Sequence, residues 1–225
     1  MCARPGSHLS TTEVIMHEFI ALAGIIGALA VGVVSPGPSF VLVARVAVST
    51  ARANGLAAAL GMGLGGVAFA SAALLGLQAV LLAVPALYVG LKVLGGLYLG
   101  YLGYRIFRGA RQPLDADTSA PGQRTSVSSS FWLGLTTQVS NPKTAIVYAS
   151  VFAAFLPGTF SLPFAVTLLC VIFVIESGWY AIVAVLLSSS QSRRAYLSYK
   201  AWVDRTAGFV MMGLGLKLIT SAHQA

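Results

Sequence analysis

Two short polar runs hold the residues with chemistry to offer. Ser35-Pro36-Gly37-Pro38 interrupts an apolar run from Phe19 to Ala44, and Ser140-Asn141-Pro142-Lys143 interrupts another from Phe131 to Leu156. Proline has no backbone N–H and its ring crowds the carbonyl four residues back, so Pro36, Pro38 and Pro142 are expected to free the carbonyls of Gly32, Val34 and Gln138. Ser35 before Pro36, and Asn141 before Pro142, read as N-cap residues followed by proline at the first helical position, which makes each break also a helix beginning. Helix N-termini attract anions, whereas freed carbonyls attract cations. A small zwitterion needs both. Pro36 and Pro38 remove donors from the first break, so its carboxylate is expected at the second, on the Asn141 side chain, the amides of Lys143 and Thr144, and the Lys143 ammonium. Its ammonium is expected at the freed carbonyls, beside the Ser35 and Gln138 side chains. The candidate substrate-binding set is therefore Ser35, Pro36, Gly37, Pro38, Gln138, Asn141, Pro142 and Lys143. Two alternatives stay open: Lys143 neutralising Glu176 or reaching the cytoplasmic interface, and proline kinks that serve packing alone.

Glu176 is the remaining candidate. The other acids, Glu13, Glu18, Asp115, Asp117 and Asp204, are read into the N-terminal tail or the charged connections, which leaves Glu176 alone inside an apolar run. An acid there costs at least ~2.5–3.5 kcal/mol by insertion scales. A carboxyl whose charge answers to whether a cation stands beside it can exchange a proton for an ammonium. Glu176 is the candidate proton-coupling residue.

The elements that must position these groups follow from composition. With 57% hydrophobic residues, 9% charged residues and a mean hydropathy of +0.84, the chain carries far less charge than the roughly 25% of a soluble domain. A membrane span needs about 20 apolar residues. Charges and turns, with Pro85 dividing the longest run, mark six spans at about 19–44, 55–78, 86–107, 131–156, 163–187 and 203–221. Ser35 and Asn141 then lie roughly 14–15 Å from the cytoplasmic edge at ~1.5 Å per residue, about half of a ~30 Å hydrocarbon core. The expected fold is an all-α integral membrane protein of six transmembrane helices, arranged as two inverted three-helix repeats with proline-broken helices 1 and 4. Residues 1–18 read as a polar, irregular tail with a second candidate start at Met16, 19–108 as the first repeat, 109–130 as a cytoplasmic linker and 131–225 as the second repeat. A matched pair of interrupted spans in the two halves of a chain is the pattern of a transporter site.

The net charge of +8 does not indicate nucleic acid, because no soluble basic domain carries it. Arg45, Arg52, Arg105, Arg108, Arg111, Arg124, Arg193, Arg194, Lys200 and Arg205 fall on alternate connections, and the opposite ones, 79–86 and 157–162, have no Lys or Arg. The positive-inside rule then puts both termini outside the cytoplasm. His8, His17 and His223 lie near the ends, so no metal-binding cluster is expected, and no cofactor or enzymatic motif is found. Cys2 and Cys170 are too few for a disulfide framework. Gly61-Met62-Gly63-Leu64-Gly65-Gly66 matches G-x-G-x-x-G, but inside a span its small residues, like Gly96 and Gly100, serve close helix packing or a homodimer face.

The two proline motifs, the stretch Ala51-Arg52-Ala53-Asn54-Gly55-Leu56 running to Gly61, the segment from Gly134 to Phe155-Leu156-Pro157, and Gly213-Leu214-Gly215-Leu216-Lys217 together resemble the LysE/RhtB family of amino-acid exporters, over about Met16 to the C-terminus. The resemblance implies export of amino acids or close derivatives, of the threonine, homoserine, homoserine lactone, leucine or lysine type, from the bacterial cytoplasm across the inner membrane by proton antiport. Amino acid, protons and lipid bilayer are then the partners. One departure is Phe69, around which members often carry a polar residue. A channel or a structural membrane protein is the alternative from another class, distinguished by saturation and dependence on a gradient.

Overall fold

The computed structural model describes residues 11–35, 37–83, 85–110, 126–188 and 190–222. Among the described residues the regular structure is entirely helical: α1 (Thr11–Val34), α2 (Pro38–Ser49), α3 (Arg52–Ala83), α4 (Pro85–Gly109), α5 (Val127–Val139), α6 (Pro142–Phe155), α7 (Leu162–Leu187) and α8 (Ser190–Ala222). Among the described residues three segments are long and apolar enough to cross a membrane, Glu13–Val34, Arg52–Gly76 and Leu162–Leu187, and two shorter apolar helices cover Pro38–Ala47 and Pro142–Phe155. Pro85 opens α4, as its missing N–H permits at a first helical position.

Both expected breaks are present, with different caps. α5 gives way to α6 at Asn141, whose side-chain oxygen accepts from the Lys143 N–H at 3.0 Å, with Pro142 at the first helical position. α1 gives way to α2 at Gly37 rather than Ser35: Gly37 is extended, with φ −160° and ψ −171°, and makes no side-chain cap. The residue before a proline is driven out of the helical region, so a helix cannot start ahead of Pro38. Ser35 therefore belongs to the end of the first half-helix. Pro36 lies outside the described residues.

Two further boundaries differ from the sequence reading. Residues 11–18, read as irregular, form the first turns of α1, and Glu18 accepts from the Ser161 N–H at 2.6 Å and the Ser161 hydroxyl at 3.0 Å, which ties α1 to the N-cap of α7. At the other end α8 is continuous from Ser190, because no glycine or proline interrupts 190–207. Its 33 residues span about 50 Å, and Asp204, read as part of a connection, is buried along it at 4% exposure. Of the expected linker, 109–130, residues 111–125 lie outside the described set, while α4 runs to Gly109 and α5 begins at Val127 with Ser126 as its N-cap.

Small residues hold the helices together, as expected where lipid removes the hydrophobic drive for helix association. A Cβ on Gly61 would meet the Phe131 carbonyl and one on Gly134 the Ala58 carbonyl, so α3 and α5 touch backbone to backbone. Gly96 and Gly103 of α4 meet Gly215 and Gly208 of α8 in the same way. Large apolar side chains such as Leu75, Val174 and Phe209 point outward, the surface a bilayer covers. Inside, two apolar clusters form: one around Ile25, Phe152 and Leu168, the other around Phe40, Val43, Met62 and Ala184.

Candidate functional site

Glu176 sits between those clusters. On α7 the buried stripe runs Leu168, Ile172, Glu176, Tyr180, Ala184 and Leu187 at helical spacing, so the carboxyl occupies a core position that the period reserves for an apolar side chain. At 4% exposure it can persist only with hydrogen-bond partners. Tyr148 of α6 donates its hydroxyl to Glu176 Oε1 at 2.9 Å, and Gln138 at the end of α5 donates Nε2 to Oε2 at 3.0 Å. Ser39 donates to Gln138 Oε1 at 2.6 Å, and Asn141 Nδ2 donates to Ser39 Oγ at 2.9 Å. A continuous buried chain, Asn141 to Ser39 to Gln138 to Glu176 with Tyr148 at its end, thus crosses four elements: the 140–141 break, α2, α5 and α7, closed by α6.

Its bed is the glycine-rich face of α3. A Cβ on Gly65 would meet Gln138 Cβ at 2.7 Å, and one on Gly66 would meet the Tyr148 hydroxyl at 2.8 Å and Glu176 Cγ at 3.0 Å. The segment that formally matches a nucleotide fingerprint is a clearance for polar side chains from two other helices. Phe69, one turn further, lies 5.8 Å from the Tyr148 ring between centroids and walls the chain off on that side.

Lys143 completes the site. Its Nζ donates to the Ser35 carbonyl at 2.8 Å, so a cation on the second broken helix rests on the C-terminal end of the first, where helix carbonyls lack partners and the dipole is negative. Among the described residues Lys143 makes no ion pair with Glu176, although both line one small cavity of about 30 Å³ together with Ser35, Gly37, Gln138 and Asn141. The Ser35 hydroxyl, also on that cavity, is buried without a partner among the described residues. The volume suits a water or two and is smaller than an amino acid.

Of the residues singled out in the sequence, Ser35, Gly37, Gln138, Asn141, Lys143 and Glu176 converge on this cavity. Pro38 and Pro142 line a larger opening of about 760 Å³ that reaches Gly37, Asn141 and Lys143 from one side and has Arg45, Arg105 and Lys200 on its wall. Three details depart from expectation. The Gln138 carbonyl is not free, since it accepts from the Asn141 N–H at 3.2 Å. The Lys143 amide is engaged by Asn141 itself, and the Asn141 amide by Ser39, so of the expected carboxylate donors these two are occupied within the protein. Ser39, Tyr148 and Tyr180, which also line the cavity, were legible only as apolar-run residues. The i to i+4 spacing of Tyr180 from Glu176 is the one sequence signal that could have found any of them.

Together the fold and site define a helical membrane protein in which two interrupted helices meet around a small buried polar cavity. The chain belongs to the LysE type translocators, whose family profile matches residues 30–222. It is similar to the threonine efflux proteins of Salmonella typhi and of Escherichia coli (strain K12), each 35% identical over 192 residues, 85% of this chain and 93% of theirs. An uncharacterized membrane protein of Haemophilus influenzae is 29% identical over 191 residues, 84% of this chain and 90% of its own. No solved structure matches it significantly.

Proposed function

We propose that the chain is a secondary active exporter of amino acids, with threonine or a near relative as substrate, working by proton antiport across the bacterial inner membrane. The observation that carries this reading is the convergence of both helix breaks on one small cavity holding a cation, a carboxyl and a hydroxyl without a partner among the described residues: Lys143, Glu176 and Ser35. The substrate carboxylate takes the Lys143 ammonium and the Ser35 hydroxyl, which requires the cavity to widen and Lys143 to leave the Ser35 carbonyl. The substrate ammonium takes Glu176, released in part from Tyr148 and Gln138. Ammonium and proton then compete for one carboxyl, so the amino acid leaves outward with Glu176 charged and the site returns with Glu176 protonated. The threonine efflux function of the relatives supports the choice of substrate.

Six spans in two inverted halves is the architecture in which this cycle operates. Its support is the exchange of partners expected of a two-fold axis in the membrane plane: α1 packs on α6 while α2 packs on α5, and α3 and α4 pack on their counterparts α7 and α8. The clustering of Arg45, Arg105 and Lys200 at one mouth supports a cytoplasmic assignment of that mouth, with both termini on the other side. The small volume of the central cavity, about 30 Å³, favours a carrier over a channel.

Proteoliposomes loaded with labelled threonine test the reading. Efflux that saturates and accelerates under an imposed pH gradient, acidic outside the face of release, is the expected result. Gradient-independent, non-saturating flux would return the chain to the channel class.

A further inference from the structure

The 760 Å³ vestibule holds a second set of charges that the central cavity does not use. Asp204 is 4% exposed, and its Oδ2 accepts from Lys200 Nζ at 2.7 Å. Its Oδ1 is buried with no hydrogen-bond partner among the described residues. A carboxylate oxygen in that condition is rare in a folded protein. Arg45 of α2 and Arg105 of α4 stand on the same wall, both exposed and without an ion-pair partner among the described residues. The Arg105 guanidinium lies 5.9 Å from the Tyr101 ring centroid, and the backbones carrying Arg105 and Asp204 are pressed together where a Cβ on Gly103 would meet the Gly208 carbonyl at 2.5 Å. The vestibule is thus lined by two exposed guanidinium groups and by Asp204, one of whose oxygens is held by Lys200 while the other is turned into the protein.

We propose that Arg45, Arg105 and Asp204 form a loading site at which an α-amino acid is held before it enters the central cavity. The guanidinium groups take its carboxylate, for which their planar fork is suited, and Asp204 takes its ammonium once its side chain turns Oδ1 toward the vestibule. Lys200 occupies the other oxygen of Asp204 and fixes the carboxylate plane. Four cations, Arg45, Arg105, Lys143 and Lys200, face one acid across this space, so it draws carboxylates from the cytoplasm and repels substrates with a cationic side chain. The inference rests on the exporter reading and adds to it a separate site and a charge rule for what enters.

The test uses inside-out membrane vesicles, whose outer face is cytoplasmic, and labelled threonine uptake driven by a pH gradient. The Arg45→Gln/Arg105→Gln variant is expected to raise KM roughly tenfold with the maximal rate held within about twofold. Raising salt from about 20 to about 300 mM is expected to raise the wild-type KM several-fold and to leave that of the variant nearly unchanged. Asp204→Asn alone would leave Lys200 buried and unpaired, so the paired Lys200→Gln/Asp204→Asn variant is used. It is expected to weaken threonine while competition by 3-hydroxybutyrate, which lacks the ammonium, stays as in the wild type. Lysine is expected to compete poorly with threonine in the wild type. Wild-type vesicles that move no amino acid would overturn the exporter reading and this one with it. Wild-type transport with unchanged KM and salt response in both variants would overturn the loading site alone.

Discussion

Gln138 and Glu176 are joined by a 3.0 Å hydrogen bond between α5 and α7, and through it the side chains at both helix breaks are connected to the one acid of the central cavity. Gln138 is 1% exposed and bonded at both ends of its amide, to Ser39 and to Glu176. Motion of either half-helix therefore alters the surroundings of the carboxyl. Replacing Gln138 with Leu would leave the Ser39 hydroxyl and Glu176 Oε2 without these partners, at a cost of about 1–3 kcal/mol for each stranded group. A lowered unfolding temperature of the detergent-purified protein, together with lost efflux, is the expected outcome.

Glu176→Gln separates charge from shape. The side chain keeps its length, and the Tyr148 hydroxyl can rotate from donor to acceptor, so the hydrogen-bonded chain survives at a cost of about 1 kcal/mol. Expression and thermal stability should hold while gradient-driven efflux falls at least about tenfold, since the group can no longer exchange a proton. Full efflux with unchanged pH dependence would remove Glu176 from the coupling step.

Two glycines of α3 make a controlled comparison. Gly66→Ala puts a methyl where the Tyr148 hydroxyl would be 2.8 Å away, whereas Gly76→Ala meets nothing within 4 Å. The first should abolish efflux without preventing membrane insertion, and the second should be neutral or stabilise α3 by about 0.5–1 kcal/mol. Equal behaviour of the two in an efflux assay would contradict the role assigned to the α3 clearance.

Pro36→Ala with Pro38→Ala restores two backbone N–H groups and lets α1 and α2 fuse. The Ser35 carbonyl would then accept within the helix and release Lys143, which it now holds at 2.8 Å. Efflux should be lost while the protein still inserts, as followed by membrane fractionation. Normal efflux would mean that the break serves packing only.

Orientation can be read by thiol labelling in a background with Cys2→Ser and Cys170→Ser, the second of which removes an exposed thiol. A cysteine placed between residues 111 and 125 should resist an impermeant reagent added to intact cells, and one appended after Ala225 should react. Labelling of the first from outside would invert the assignment.

The helices and their interruptions were determined by the sequence alone, because they follow from properties each residue carries with it. Apolar run length sets a span, and a missing N–H sets where a helix stops and restarts, so the breaks near Pro38 and Pro142 and the isolation of Glu176 in an apolar stripe were legible. Even so, the N-cap expected at Ser35 falls on Gly37, since two prolines one residue apart leave only the residue just before the second able to cap. Which partner satisfies each polar group was decided by tertiary structure. Lys143 bonds to Ser35 rather than Glu176, Asn141 closes on its own helix and on Ser39, and Tyr148 reaches Glu176 from a helix of its own. Asp204, which reads locally as part of a charged connection, is buried against the vestibule because α4 and α8 meet glycine to glycine. A hydrogen bond between residues 38 or 102 positions apart has no period for the sequence to display; that between Gln138 and Glu176 exists because the glycines of α3 let α5 and α7 each pack close against it, so that the two side chains meet over its surface.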